Sequence, residues 1–322
     1  LVSEPLNITV NGTNILGNNA RIVFNWEQAA VSPSTADSLW NVDADLVVIK
    51  DIRLQYTGTF NVGGADYGGF VSGIQVNFGS DDFYADNVTA FGFNRCGINI
   101  GYDGGVTSGG TYCKRPTIHN CHLYENRVAG VSFGKTEDGS VINCVLEYNG
   151  SNTSAGTGYG FAGWSGENPK NTVLEGNRAN YNWRKGLDFH SGENGVVTNN
   201  ICSGNAVYGI YVEDVTGNWT ISSNTINDMN DDNVGNLAIY GIYIGSADGQ
   251  GTGNVFTSYV IDGNVIDGVD NTDGNGAFSI FAQSAGLAKG NIVISNNICR
   301  SNIIDGFYRG SSTATNIGDY YD

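Results

Sequence analysis

The sequence predicts an all-β solenoid, a parallel β-helix, and three observations lead to this fold class. Glycine accounts for 47 of the 322 residues, whereas proline accounts for only 4. Between clusters of glycine and asparagine the chain is rich in valine, isoleucine, threonine, tyrosine and phenylalanine, which is typical of short strands joined by turns. A short pattern also recurs along the chain, and its closest copies place Gly186 and Gly209 only 23 positions apart.

The repeat is an asparagine, three residues, a glycine and then an apolar–any–apolar strand. It occurs as NRVAGVSF (126–133), NWRKGLDF (182–189), NAVYGIYV (205–212) and NIIDGFYR (302–309), and near residue 277 we expect Ala277 in the glycine position. A unit of this length cannot bury its own apolar face, but stacked units can. We predict roughly eight to nine coils, or more, between residues 45 and 310.

The alternatives are a β-propeller, whose blades of about 40 residues are longer than this repeat, and a leucine-rich horseshoe, which the scarcity of leucine disfavours. Residues 1–44 are predicted to form an N-terminal strand and cap region, and residues 45–322 one continuous β-helix with loop insertions. No apolar run approaches the roughly 18 residues of a membrane span. The first residues lack the pattern of a signal peptide, so we expect a mature product or a fragment.

This pattern resembles the pectate-lyase-like superfamily of right-handed parallel β-helices along most of the chain. That superfamily includes polysaccharide lyases, glycoside hydrolases, uronan epimerases and phage tailspikes. The resemblance implies a glycan-related function, but a fold by itself does not choose among these activities.

Alternation along the strand after each glycine predicts which side chains face outward. In GLDFH (186–190), Leu187 and Phe189 point inward, whereas Asp188 and His190 point outward. Stacking the coils gives two predicted outward columns: Ser132, Ala162, Asp188, Tyr211, Tyr243 and Ser279, and Gly134, Trp164, His190, Glu213 and Gly245.

Long insertions flank the two short coils that carry these residues, at 101–115, 149–160, 227–241, 245–257 and 267–277. Because long loops in a compact domain are usually functional, we expect a cleft with the outward columns on its floor. The alternative is that each polar residue there is ordinary solvated surface.

The predicted catalytic residues are Asp188, His190, Tyr211 and Glu213. The predicted substrate-binding residues are Trp164 and Tyr243, which would stack on sugar faces, and Arg184 and Lys185, which would pair with acidic groups. A diagonal separation of about 8 Å between Asp188 and Glu213 would suit an inverting hydrolase.

Within this region, Lys185-Gly186-Leu187-Asp188-Phe189-His190-Ser191 resembles the Tyr-Gly-Phe-Asp-Pro-His-Glu stretch of alginate C5-epimerases and related lyases. The glycine, aspartate and histidine match, whereas the tyrosine, proline and final acid do not. The family's catalytic tyrosine is therefore absent from its place, and Tyr211 of the next coil is the candidate to replace it.

The net charge of −17 disfavours nucleic acid and anionic lipid as partners. We expect a polysaccharide substrate, no membrane insertion, no cofactor, and a location outside the cell or on a virion, as a homotrimer if tailspike-like. The acids at 228, 231 and 232 are compatible with calcium, but an exposed acidic loop is the expectation. The six cysteines are expected to be buried thiols, and His119 and His122 structural.

Three functions remain open at this stage. The leading hypothesis is a depolymerase, either a glycosidase or a lyase, that acts on an acidic bacterial surface polysaccharide as phage tailspikes do. The second is a secreted uronan lyase or C5-epimerase. The third is a non-catalytic β-helix that binds glycan or serves as a stalk.

Overall fold

The computed structural model describes residues 6–24, 38–57, 71–101, 110–150, 157–164, 167–229, 238–245, 257–269, 277–283, 291–300 and 305–310. These residues form short strands joined by turns. In chain order the strands are β1 (Leu6–Ile8), β2 (Asn14–Phe24), β3 (Trp40–Val42), β4 (Val48–Tyr56), β5 (Ile74–Val76), β6 (Tyr84–Phe91), β7 (Cys96–Ile100), β8 (Cys113–Lys114), β9 (Thr117–His119), β10 (His122–Tyr124), β11 (Ala129–Phe133), β12 (Thr136–Glu137), β13 (Ser140–Ile142), β14 (Val145–Glu147), β15 (Tyr159–Gly163), β16 (Lys170–Glu175), β17 (Arg178–Asn180), β18 (Lys185–Phe189), β19 (Gly192–Thr198), β20 (Ile201–Ser203), β21 (Tyr208–Val212), β22 (Val215–Ser222), β23 (Thr225–Met229), β24 (Ile239–Ile244), β25 (Thr257–Asp262), β26 (Val265–Val269), β27 (Ala277–Gln283), β28 (Ile292–Ser295), β29 (Ile298–Arg300) and β30 (Asp305–Gly310).

The strands form two parallel sheets that run the length of a β-helix. Sheet 1 has eleven strands in the order β1-β3-β5-β7-β11-β15-β18-β21-β24-β27-β30, one strand from each successive coil. Sheet 2 contains the other nineteen strands. Because β1 and β2 pair in parallel with β3 and β4, the ladders reach back to Leu6, and the division at residue 44 stays a prediction.

The core is a set of apolar columns inside the coils. In sheet 1, Phe161, Leu187, Ile210 and Ile242 occupy equivalent positions of successive strands, and all four are fully buried. Stacking therefore buries the apolar face that one coil alone cannot cover.

Asparagine ladders close the turns between the strands. The amide of Asn149 donates to Asn182, and the amide of Asn182 donates to Asn205, each at 3.0 Å. Because these side chains are buried, each amide hydrogen bond replaces one that water would otherwise make. This explains why asparagine recurs at one place in the repeat.

The repeated glycine allows neighbouring coils to approach closely. A Cβ atom on Gly186 would lie only 2.6 Å from the Gly209 carbonyl oxygen and 2.9 Å from the Asn205 amide nitrogen. The glycine position is thus required by packing between rungs rather than by a left-handed backbone.

None of the six cysteines forms a disulfide bond. Five are buried, as expected, whereas Cys299 is exposed. In the part of the chain that the structure describes, no helix has both the length and the apolar character needed to cross a membrane.

Candidate functional site

The candidate site lies on the outer face of sheet 1, at strand β18. The register places Ala162, Asp188, Tyr211 and Tyr243 on successive rungs, as predicted. The pairing of Gly163 with Phe189 and of Phe189 with Val212 also confirms the second column, in which His190 follows Trp164 and precedes Glu213.

Lys185, Asp188 and His190 form a chain of contacts within this one strand. The Lys185 ammonium donates to Asp188 Oδ1 at 2.9 Å, and His190 Nδ1 lies 2.7 Å from Asp188 Oδ2. His190 Nε2 lies 3.2 Å from Lys185 Nζ. All three contacts are satisfied when His190 donates from Nδ1 to Asp188 and accepts at Nε2 from Lys185.

The burial of this group corrects two predictions. Asp188 faces outward as expected, but its side chain is 0% exposed, so it is not an accessible carboxylate. Lys185 is 1% exposed and bonded to Asp188, so it cannot pair with a substrate in solution. The Lys185 side chain lies on the same side of the strand as Asp188, which simple alternation does not predict.

Burial and the neighbouring charges set the ionisation of the pair. Desolvation lowers the pKa of Lys185 to about 8, although the Asp188 carboxylate opposes this effect. Desolvation also acts to raise the pKa of Asp188, but the charges and hydrogen bonds of His190 and Lys185 outweigh it and lower that pKa overall. Asp188 is therefore a fixed negative charge behind His190.

Tyr211 and Glu213 form the adjoining pair on the next coil. The Tyr211 hydroxyl donates to Glu213 Oε2. Lys185 Nζ lies 3.3 Å from the centroid of the Tyr211 ring, a close cation–π contact. Burial, with the contact to Glu213, raises the pKa of Tyr211 strongly, so the phenol keeps its proton.

Two of these groups remain accessible. The His190 side chain is 26% exposed and Glu213 is half-buried. They occupy adjacent rungs of one column, which stand about 4.8 Å apart. The His190 ring contacts Asp188 and Lys185, and Glu213 accepts a hydrogen bond from Tyr211. The site therefore presents two acid–base groups whose positions are set by neighbouring side chains.

An aromatic surface runs from this site towards the C-terminal coils. Tyr211, Tyr243 and Phe281 stack with ring centroids 4.8 and 5.3 Å apart. Tyr243 is buried between its two neighbours, so its ring face is not available to a sugar as predicted. The alternation argument did not identify a second stack, which runs beside the first. Its members are Tyr208, Tyr240 and Phe278, with centroids 5.0 and 5.4 Å apart.

The prediction for the coil near residue 277 was wrong by two residues. Phe281, not Ser279, follows Tyr243 in the outward column, and Ser279 rather than Ala277 takes the glycine position opposite Gly241. This coil lacks the glycine that marks the register elsewhere. An aromatic residue every third position, YxxY in 208–211 and 240–243 and FxxF in 278–281, is the signal that could have found both stacks.

Trp164 and Arg184 lie at the edge of the site. The Trp164 indole donates to Ser132 Oγ and meets the Tyr159 ring edge-on, while Tyr159 makes a similar contact with His190. Arg184 is half-buried, and its charge contributes to lowering the pKa of Lys185. Tyr159, which the sequence reasoning missed, therefore contacts both Trp164 and His190.

Several sequence-based predictions fall wholly or largely on residues outside the described part of the chain. These are the insertions expected to form a cleft and the acids at 231 and 232. Asp228 is described and accepts a hydrogen bond from Asn227. Among the described residues, no cluster of three or more His, Cys, Asp and Glu side chains is arranged to hold a metal ion.

The comparison with protein families matches the chain over residues 114–285 to a model described as the right handed beta helix region. This match covers more than half of the chain. The protein therefore belongs to the right-handed β-helix family, which confirms the fold class predicted above. No curated protein sequence matched the chain significantly.

Solved structures share this fold at low sequence identity. The Dettilon tailspike protein matches with a TM-score of 0.54 and 12% identity, over 96% of this chain and 60% of the tailspike chain. PfbA, a surface adhesin of Streptococcus pneumoniae, matches with a TM-score of 0.52 and 14% identity, over 92% of this chain and 70% of the adhesin chain.

A third structure, the A-module of the Azotobacter vinelandii mannuronan C-5 epimerase AlgE4, matches with a TM-score of 0.53 and 17% identity, over 97% of this chain and 87% of the module. The chain thus spans only 60% of the tailspike's length. These likenesses concern the fold.

Proposed function

We propose that this protein is a polysaccharide depolymerase that cleaves an acidic glycan by β-elimination. The observation that carries the proposal is the fully buried Asp188, which contacts both Lys185 and His190 and leaves the imidazole as the accessible group. A carboxylate behind a histidine orients the ring and stabilises the imidazolium that forms when the ring takes a proton.

In the proposed reaction Nε2 of His190 gives up its contact with the Lys185 ammonium and removes the proton at C5 of a uronate. The electron pair forms a double bond between C4 and C5, and the bond from C4 to the glycosidic oxygen breaks. The His190 imidazolium passes this proton to the departing oxygen, while the Tyr211 phenol keeps its own proton and stays hydrogen-bonded to Glu213 beside the ring. Asp188 and Lys185 act on His190 rather than on the sugar, and the half-buried rings of Tyr208, Tyr240 and Phe278 contact the glycan beside the site.

A hydrolase pair formed by Asp188 and Glu213 is less compatible with this geometry. Direct hydrolysis needs both carboxyl groups beside the scissile bond. Asp188 has no exposed surface and its two oxygens are bonded to Lys185 and His190. The C5-epimerase alternative uses the same proton abstraction, and the AlgE4 module named above is a mannuronan epimerase with this fold.

Product analysis on a panel of acidic polysaccharides tests the proposal. A lyase yields shorter chains with the ultraviolet absorbance of an unsaturated uronate and no added water. A hydrolase adds one water at each cut, and an epimerase leaves the chain length unchanged. The His190→Gln variant is expected to lose the activity, and His119→Gln, on sheet 2, is the matched control.

Either of two results would overturn the proposal. Water-added products would indicate a hydrolase, and glycan binding without any cleavage or epimerisation would favour the non-catalytic alternative, as the PfbA fold match also allows. The tailspike match supports a location outside the cell or on a virion and a trimeric assembly, which analytical ultracentrifugation would test.

A further inference from the structure

A second aromatic surface lies at the turn that follows β14 and β17, on the corner of the coil before sheet 1 begins. Tyr148 and Tyr181 occupy the same turn position in successive coils, and their rings stack 5.1 Å apart at 13°. Their side chains remain 53% and 50% exposed. None of the site residues described above belongs to this surface.

The backbone at these two tyrosines is in the left-handed region, with φ at 54° in both. A bulky residue is unfavourable there, and glycine, asparagine and aspartate are the usual occupants. The preceding coil has Glu125 at this position and the following coil has Gly204. The two tyrosines therefore combine backbone strain with exposed rings, and neither is explained by packing in the core.

A cavity lies beside the two stacked tyrosines. Tyr148 and Tyr181, together with Trp183, line a cavity of about 330 Å³. Gly204 makes room for it, since a Cβ atom there would lie 2.4 Å from the Tyr181 ring. The backbone N–H of Trp183 donates to the Asn149 carbonyl at 2.8 Å, which fixes the main chain of this lining residue beside the turn.

We infer that Tyr148, Tyr181 and Trp183 form a binding site for an uncharged pyranose unit of a glycan. Flat aromatic faces pack against the C–H faces of sugar rings, while the phenol hydroxyls donate and accept hydrogen bonds. Among the residues that the structure describes, the cavity is lined by tyrosine, tryptophan, asparagine and glycine, and none of these lining side chains is charged. It thus favours a neutral sugar over a uronate.

The size of the cavity favours a sugar over a protein partner. Small-molecule sites occupy roughly 300–1,000 Å³, whereas a stable protein interface buries about 800 Å² on each partner. The cavity is at the lower end of the first range. Since Trp183 and Asp188 belong to the same coil, this site would hold one part of a glycan while another reaches the proposed catalytic site.

Substitution by asparagine gives a sharp test, because asparagine suits the left-handed turn. We would titrate the whole chain and the Tyr148→Asn/Tyr181→Asn variant with maltotriose, cellotriose and mannotriose, and with trigalacturonate as the acidic probe, following tryptophan fluorescence and ligand NMR. The double variant is expected to keep its melting temperature and to lose about tenfold or more of its affinity for the neutral sugar that binds.

The Glu125→Asn variant, at the same turn one coil earlier, removes no ring and should bind as the unmodified protein does. The inference is wrong if no neutral trisaccharide binds, if trigalacturonate binds this surface more tightly, or if the double variant binds unchanged. It is also wrong if the double variant instead abolishes self-association in light scattering. Cleavage measured in parallel keeps this result separate from the proposed catalytic function.

Discussion

Two clusters in this protein contain the same four side-chain types in similar contacts but differ in burial. The buried cluster on sheet 1 consists of Lys185, Asp188, His190 and Tyr211. The solvated cluster on sheet 2 consists of Lys50, Tyr84, Asp86 and His119, where His119 Nδ1 lies 3.1 Å from Asp86 and Lys50 Nζ lies 3.6 Å from it. Lys50 also lies 4.8 Å from the Tyr84 ring centroid.

The difference in burial separates a site from a surface network. Lys185 and Asp188 are 1% and 0% exposed, whereas Lys50 and Asp86 are 35% and 24% exposed. Removing water strengthens each charge interaction and makes an unpaired charge costly, and in the buried cluster desolvation lowers the pKa of Lys185, a perturbation typical of functional sites. Residue types in contact are therefore not sufficient evidence for a site.

The largest expected difference between the two clusters comes from neutralising their central carboxylates, Asp188 and Asp86. Asp188→Asn should lower the cleavage rate by about 10³-fold, because the imidazolium loses its counter-charge. It should also lower the free energy of unfolding by about 3 kcal/mol, because Lys185 loses its partner in the protein interior.

Asp86→Asn should change the free energy of unfolding by less than about 1 kcal/mol and leave cleavage unchanged, since its ion pairs are solvated. Rates of cleavage and urea denaturation of both variants measure the difference. Equal effects on stability would show that the burial of Asp188 is not what distinguishes the clusters.

The lowered pKa of Lys185 should make the free energy of unfolding depend on pH. The pKa of Lys185 falls from 10.5 in the unfolded chain to about 8 in the folded one. Between these values the unfolded state binds more protons, so Lys185 makes the folded state more stable as pH rises. Relative to Lys185→Met, the unmodified protein should gain about 3 kcal/mol across this window.

Denaturation of both proteins at several pH values measures this gain, and Lys50→Met gives the change expected from removing a solvated lysine. If the charged form of Lys185 supports catalysis, kcat/KM should also fall above about pH 8. A constant difference in unfolding free energy across the window would contradict the lowered pKa.

Aromatic stacks should contribute to substrate binding only where they lie beside the buried cluster. Tyr240→Ala removes a half-buried ring that stacks on Tyr208 and is expected to raise KM by about tenfold with little change in kcat. Tyr124→Ala removes a ring that stacks on Phe91 on sheet 2 and should leave KM unchanged. Steady-state kinetics distinguish the two, and a fall in kcat alone for Tyr240→Ala would argue against a binding role.

The smallest effect is expected at His119. His119→Ala removes a partly exposed contact with Asp86 and should change the free energy of unfolding by less than about 0.5 kcal/mol. Chemical denaturation measures it, with Lys50→Ala as the neighbouring control. A loss of cleavage activity in His119→Ala would mean that the solvated cluster is itself part of a site.

Much of the fold was predictable because each coil repeats the same physical constraints. Asn182 and Gly186 mark the turn and the close approach of the coils, so the register of Asp188 against Tyr211 follows from the sequence. Where Ser279 replaces the glycine, that marker is absent and the prediction of the outward column was wrong by two positions.

The roles within the site were less predictable than its location. The sequence reasoning assigned Lys185 to the substrate because its charge would pair with an acidic sugar. In the structure the Lys185 ammonium donates to Asp188 instead, and Tyr159 of the preceding coil lies beside His190.

The sequence by itself therefore determined the parallel β-helix and the rungs on which Asp188, His190, Tyr211 and Glu213 meet. These follow from a short repeat, because local turn chemistry and apolar periodicity are encoded along the chain. Only the tertiary structure decided that Lys185 and Asp188 are shielded from water while Lys50 and Asp86 are not. Burial is a property of everything that packs around a side chain, and it sets the ionisation on which the proposed chemistry depends.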